Sequence, residues 1–220
     1  ELVSKFLLTD IHRRNAALVL GREVKDISET ERELGKTLGY ALLYGAGPPR
    51  MMEQLVKGGF YDATIPKCNA YRDQFLKELP KVEAFIEEVH QRVLRPGYLE
   101  TFLGRKRFFA LPPRYARDYR RIYEGCCREA INFMFQATNA DATKLSLVRM
   151  ESAFAAQFAD DDMPMILLNV HDETVTEAAD EIVEAAAVSG EAIMIEAGSE
   201  SVRHLVPIEV SKNISAIWSK

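Results

Sequence analysis

One helix is punctuated at both ends. Ser28 is followed three residues later by Glu31, a capping box that starts a helix near Glu29. Gly45 is a natural C-terminal stop, and Gly47, Pro48 and Pro49 forbid continuation. Inside these limits Arg32, Lys36, Tyr40 and Tyr44 recur every four residues. Steps of four keep side chains near one face, so two cations and then two rings lie along roughly 18 Å of helix. Arg by its fork and Lys as a point charge can hold a polyphosphate near the helix N-terminus, where the backbone also favours anions. A ring one turn further on can stack on a flat base. The same spacing also fits a solvated cationic face followed by core tyrosines.

Three further segments bear on the choice. Met165 to Val170 is an apolar run, then His171-Asp172-Glu173, then Thr174 to Glu177 alternating polar and apolar. This pattern predicts a tight hairpin with His-Asp-Glu at its tip. Paired carboxylates there suit Mg²⁺, which prefers hard oxygen ligands; an ordinary Asp turn is the competing reading. Arg128, Asn132 and Gln136 repeat every four residues on one predicted helix. Such groups suit the DNA minor groove, where every base pair offers acceptors, or else a polar helix face. Gly97 to Gly104 reads as a glycine-bounded hairpin followed by the basic run Arg105-Lys106-Arg107.

Together these segments resemble family A DNA polymerases, the DNA polymerase I type. The run from Arg32 to Gly45 matches the family's fingers motif: Arg, three residues, Lys, three residues, an aromatic, three residues, Tyr-Gly. It departs at Gly35, where the family often has Ala, and at Gly39 and Ala41. Two interior glycines, each about 1 kcal/mol worse than Ala, predict a less stiff helix. His171-Asp172-Glu173 resembles the family's palm hairpin. Arg128, Asn132 and Gln136 resemble a palm helix facing the primer terminus, and Val206 to Val210 with Trp218 resembles the family's C-terminus. The resemblance covers nearly the whole chain.

The resemblance implies specific roles. Arg32, Lys36 and Tyr40 would bind the nucleotide, with Lys36 acting at the pyrophosphate. Tyr44, Gly45, Arg105, Arg128, Asn132, Gln136 and His171 would meet primer-template DNA. Asp172 would be catalytic, and Asp172 and Glu173 would be metal ligands, with two Mg²⁺ ions as cofactors. Deoxynucleoside triphosphates are the implied substrates. Tyr at position 40 implies ready acceptance of dideoxynucleotides. The family's first catalytic Asp lies in an Asp-x-Ser-x-x-Glu-Leu-Arg strand that this sequence lacks, although Thr9-Asp10-Ile11-His12 resembles the stretch following it. Neither a thumb nor an upstream exonuclease region is recognisable. Three readings stay open: a polymerase fragment inactive alone, a split subunit needing a partner chain that supplies the missing upstream segment, or a non-catalytic nucleotide or nucleic-acid-binding module.

Organisation follows the breakers. At 220 residues one or two domains are expected. Helices are predicted from about Thr9 to Gly21, through the stripe, from Pro49 to Gly58, and after Pro66 and Pro80. Pro96-Gly97 breaks the pattern. Then come the hairpin, long helices from about Ala116 to Phe158, the His-Asp-Glu hairpin, a helix near Ala179 to Gly198, and a strand near Val206 to Val210. The expectation is α+β: a helical fingers subdomain over residues 1–95 and a partial palm over 96–220, a small antiparallel sheet backed by helices.

A net charge of −5 excludes bulk attraction to DNA, but arginines gather between Arg105 and Arg128, where they suit phosphates or a solvated surface. Cys68, Cys126 and Cys127 show neither disulfide nor metal-ligand spacing, which fits a reducing compartment. No stretch is long and apolar enough to span a membrane. A cytoplasmic location, in a bacterial or phage-infected cell, is the expectation.

Overall fold

The computed structural model describes residues 10–218. The expected start of the first helix at Thr9 lies outside the described residues. Seven α-helices and two antiparallel strand pairs occur among them, an α+β fold. Helix α1 (Ile11–Leu20) is capped by Asp10, and Gly21 ends it in the left-handed region at φ 63°. Helix α2 (Glu29–Leu43) begins at the capping box, both halves of which form. It closes through Tyr44 and Gly45, the latter at φ 72°. Helices α3 (Pro48–Lys57), α4 (Ile65–Glu78) and α5 (Pro80–Leu94) each carry proline in the first turn. There its missing N–H costs nothing.

Strands β1 (Tyr98–Glu100) and β2 (Lys106–Phe108) follow as a short hairpin. The long helices expected from about Ala116 to Phe158 are one continuous helix, α6 (Tyr119–Gln157), of 39 residues. No proline or glycine interrupts it after Gly125, so nothing forces a break. Strand β3 (Met165–Val170) pairs antiparallel with β4 (Glu173–Glu177), with a bulge at Leu167. Helix α7 (Val183–Ser201) begins later than the sequence predicts, after a turn over residues 179–182. The strand expected at Val206–Val210 does not form; among the described residues β3 and β4 pair only with each other, and Pro207 lacks an N–H to donate.

The chain divides into two compact units. One comprises residues 1–99 and 107–132, the other residues 100–106 and 133–220, and α6 runs through both. In the first, Leu34, Leu38 and Leu42 bury the face of α2 opposite the Arg-Lys-Tyr stripe, against Met51, Leu55 and Phe75. In the second, Phe154 and Met150 of α6 pack on Ala186 of α7, with Ile166 of β3 against them.

The glycines of α2 serve packing rather than flexibility. A Cβ on Gly35 would lie 2.1 Å from the carbonyl oxygen of His12 and 2.6 Å from the amide nitrogen of Ala16. One on Gly39 would lie 2.4 Å from Asn15 Nδ2. Gly35 and Gly39 therefore form a groove into which α1 drops, with Ala16 fully buried and Ala17 nearly so. The expected loss of stiffness is replaced by a close helix pair.

Candidate functional site

Asp10 organises the cationic end. Its Oδ1 accepts the backbone N–H of His12 at 3.0 Å and of Arg13 at 3.1 Å, capping α1. Its Oδ2 accepts Arg32 Nε at 2.6 Å, which ties α1 to α2. Burial pushes the Asp10 carboxyl up, but the hydrogen bonds from Arg32 and the two N–H groups outweigh it and hold the carboxyl below its ordinary value. The Asp10 hydrogen bond in turn raises Arg32. Arg32 NH1 also lies 3.3 Å from Glu29 and 3.2 Å from Glu33, and Lys36 Nζ lies 3.5 Å from Glu33. Glu29 and Glu33 are exposed. Such surface pairs are worth only about 0–1 kcal/mol, so an incoming polyanion can displace them while Asp10 keeps Arg32 aimed.

The aromatic end is open. Tyr40 is 48% exposed, enough of its ring to receive a flat ligand. Tyr44 stacks beside it, centroids 6.4 Å apart and planes 16° apart. The His12 ring stands 5.9 Å from the Tyr40 ring, tilted by 45°. His12 Nδ1 is buried and has no hydrogen-bond partner among the described residues. Burial, then the charge of Arg32, lowers the His12 value from 6.5, with Lys36 adding to this and Asp10 opposing it. The imidazole is thus neutral at pH 7, and a bound polyanion would raise its proton affinity.

His12 is therefore expected to titrate by NMR with a midpoint below 6.5, moving upward when triphosphate is added. The unfolded chain takes this proton first, so stability is unaffected above pH 6.5 and falls as pH drops through the folded midpoint. A midpoint at or above 6.5 in the unliganded chain would contradict the burial of this ring.

Gly45 lies where α2 meets α6. A Cβ there would touch Arg128 Cγ and Ile131 Cδ1, each at 3.6 Å. Arg128, Asn132 and Gln136 are all exposed along α6. Arg105 Nε donates to Asp141 Oδ1 at 2.5 Å, while Thr101 Oγ1 donates to Asp141 Oδ2 at 2.6 Å. Asp141 is buried, so Arg105 serves first to neutralise it; its side chain remains 40% exposed. Arg107 is similarly engaged, 2.6 Å from Glu129, whereas Arg114 and Arg117 are exposed.

At the second hairpin, Val170 pairs with Glu173, leaving His171 and Asp172 as a two-residue tip. His171 adopts φ 59°. That left-handed conformation costs an ordinary residue roughly 1–2 kcal/mol. Asp172 is exposed and Glu173 half-buried. Glu173 Oε1 accepts Trp218 Nε1 at 2.8 Å, and its carbonyl accepts Asn169 Nδ2 at 2.8 Å. Two adjacent carboxylates are a fitting hard-oxygen donor pair for Mg²⁺. No group of three or more His, Cys, Asp or Glu that could hold a metal ion occurs among the described residues.

Arg32, Lys36, Tyr40, Tyr44 and Gly45 stand together with Arg128 in the first unit; His171, Asp172 and Glu173 stand together in the second. Asp10, His12 and Trp218 were not singled out as functional in the sequence. Only Asp10 carried a usable signal, an N-cap residue before a helical pattern.

A sequence model of the family described as DNA polymerase family A matches residues 2–220. The chain is 32% identical over 212 residues to the thermostable DNA polymerase I of Thermus aquaticus, covering 95% of this chain and 23% of that protein. It is 27% identical over 213 residues to DNA polymerase I of Aquifex aeolicus, covering 96% and 34%. It thus spans between a fifth and about a third of the length of the curated relatives described. Among solved structures, the polymerase domain of Pol1 from M. smegmatis, in complex with DNA primer-template and dNTP, has the same fold. Its TM-score is 0.71 at 22% identity, over 84% of this chain and 31% of that one. No described helix is long and apolar enough to cross a membrane.

Proposed function

The chain belongs to DNA polymerase family A, and from that membership we propose that it is the fingers and part of the palm of a template-directed DNA polymerase. The observation that carries this is the α2 face, with Arg32 aimed by Asp10, then Lys36, then the half-open Tyr40 ring beside His12. It matches an incoming deoxynucleoside triphosphate in charge and in shape. Residues 1–95 are the fingers and 96–220 the partial palm.

Nucleotidyl transfer joins a primer 3′ hydroxyl to the α-phosphorus and expels pyrophosphate. Arg32 and Lys36 hold the phosphates by charge-assisted bonds, and Lys36 balances the charge that develops on the leaving pyrophosphate. Tyr40 stacks on the base, and neutral His12 offers a ring nitrogen close to the same ligand. Arg128, Asn132 and Gln136 read the minor groove for shape without sequence. Asp172 and Glu173 would hold Mg²⁺. Two Mg²⁺ ions, when bound, would supply charge stabilisation to the phosphoryl transfer. A further carboxylate, from a strand other than β3 and β4, would complete their ligands, and the chain alone is expected not to polymerise.

Titration of the chain with dATP, followed by NMR, tests this reading. Signals of His12, Arg32, Lys36 and Tyr40 should move together and saturably. Movement confined to surface lysines elsewhere would sink it. Tyr40 carries a finer expectation: its hydroxyl replaces the missing 3′ hydroxyl of a dideoxynucleotide as a polar partner. In the complete enzyme Tyr40→Phe should lower the dideoxy-to-deoxy incorporation ratio, and an unchanged ratio would count against that role.

A further inference from the structure

Trp218 lies 45 residues beyond Glu173 in sequence, yet its indole N–H ends on the Glu173 carboxylate. The contact is delivered by a fixed route. Ile208 packs so closely on α7 that a Cβ on Gly198 would lie 2.9 Å from Ile208 Cγ2. Lys212 Nζ then holds Glu191 at 2.8 Å. Four tail residues thus pass seven helix residues: about 13 Å of extended chain against about 10 Å of helix. The tail therefore runs back along α7. Ser215 Oγ donates to the carbonyl of Ile217 at 2.7 Å, turning the chain just before Trp218.

At the other end Glu173 is the first residue of β4, its backbone carbonyl already held by Asn169. Backbone and carboxylate are thus restrained from two sides. One carboxylate oxygen, Oε1, accepts the indole N–H, which leaves Oε2 to act beside Asp172.

We propose that Trp218 is a positioning residue for Glu173: the C-terminal strap carries an indole donor that orients this carboxylate toward the cation held with Asp172. The inference rests on the reading of the hairpin tip as part of the Mg²⁺ site. Indole suits the task because its N–H only donates; it binds a carboxylate without competing for the cation. Partners that orient ligands in this way typically change metal affinity about 10- to 100-fold when removed.

The protein contains one tryptophan, so its NMR spectrum holds a single indole N–H signal. In the unsubstituted 220-residue chain that signal is expected downfield and shifted saturably by Mg²⁺. Glu173→Ala should move it upfield, to the position of an indole without a carboxylate acceptor. Trp218→Phe should weaken Mg²⁺ binding, read from the Asp172 and Glu173 amide signals, by about tenfold. Trp218→His, which keeps a ring N–H donor, should restore part of the loss. An indole signal indifferent to Glu173→Ala would overturn the contact. Equal Mg²⁺ affinity in the unsubstituted and Trp218→Phe chains would overturn the positioning role alone. Tip amides that ignore Mg²⁺ in the unsubstituted chain would overturn the metal reading of the tip and this inference with it.

Discussion

Gly35→Ala is expected to destabilise the chain by about 2 kcal/mol, whereas Gly39→Ala, one turn away, is expected to be neutral or mildly stabilising. Both substitutions gain about 1 kcal/mol of intrinsic helix propensity. They differ in what the new methyl meets. At Gly35 it meets backbone, the His12 carbonyl at 2.1 Å and the Ala16 amide at 2.6 Å, and neither can move without shifting α1 bodily. Overpacking of this kind costs about 1–3 kcal/mol and occasionally more. At Gly39 it meets the end of the Asn15 side chain, which can swing aside. Urea unfolding of both variants measures the contrast. The Gly35 variant should also disturb His12 against Tyr40, because α1 carries His12 on the turn that must retreat. An unchanged midpoint for Gly35→Ala would mean that α1 can stand off from α2 at no cost.

That groove marks the limit of what the sequence disclosed. The boundaries of α2 were legible because the capping box, Gly45 and the following prolines act locally. The β3–β4 hairpin was legible because alternation and a favoured turn residue act within a dozen positions. The role of Gly35 was not, since glycine in a helix reads as a penalty until the neighbouring helix is in place. The Asp10–Arg32 bond spans 22 residues, the Asp141–Arg105 bond 36, and the Trp218–Glu173 bond 45. No periodicity encodes such pairs. The predicted strand at Val206–Val210 failed for the complementary reason: strand propensity without a partner leaves an extended strap, here one that packs on α7. Of the candidate site, the residue types were readable and the arrangement that aims them was not.

Lys36→Ala should separate function from stability. Lys36 is 44% exposed, and its contact with Glu33 at 3.5 Å is a surface pair of the kind worth about 0–1 kcal/mol. Its removal should therefore leave the urea midpoint within about 0.5 kcal/mol of the parent. Arg32→Ala is the contrasting case, since Asp10 would lose its 2.6 Å partner, and α1 and α2 a tie. The functional cost of losing Lys36 should be large. A fixed cation at a developing oxyanion is typically worth about 10²–10³ in rate, because the charge it meets grows in the transition state. In the complete enzyme Lys36→Ala should lower kcat by that factor and raise the KM for nucleotide less, since on the proposed reading Arg32 would still hold the ground-state phosphates. In the 220-residue chain the same variant should still bind dATP, several-fold more weakly and with a shallower dependence on salt, because one cation fewer meets the phosphates. A Lys36→Ala enzyme with parental kcat and only a raised KM would make this residue a binding cation, and would remove it from the chemistry assigned to it.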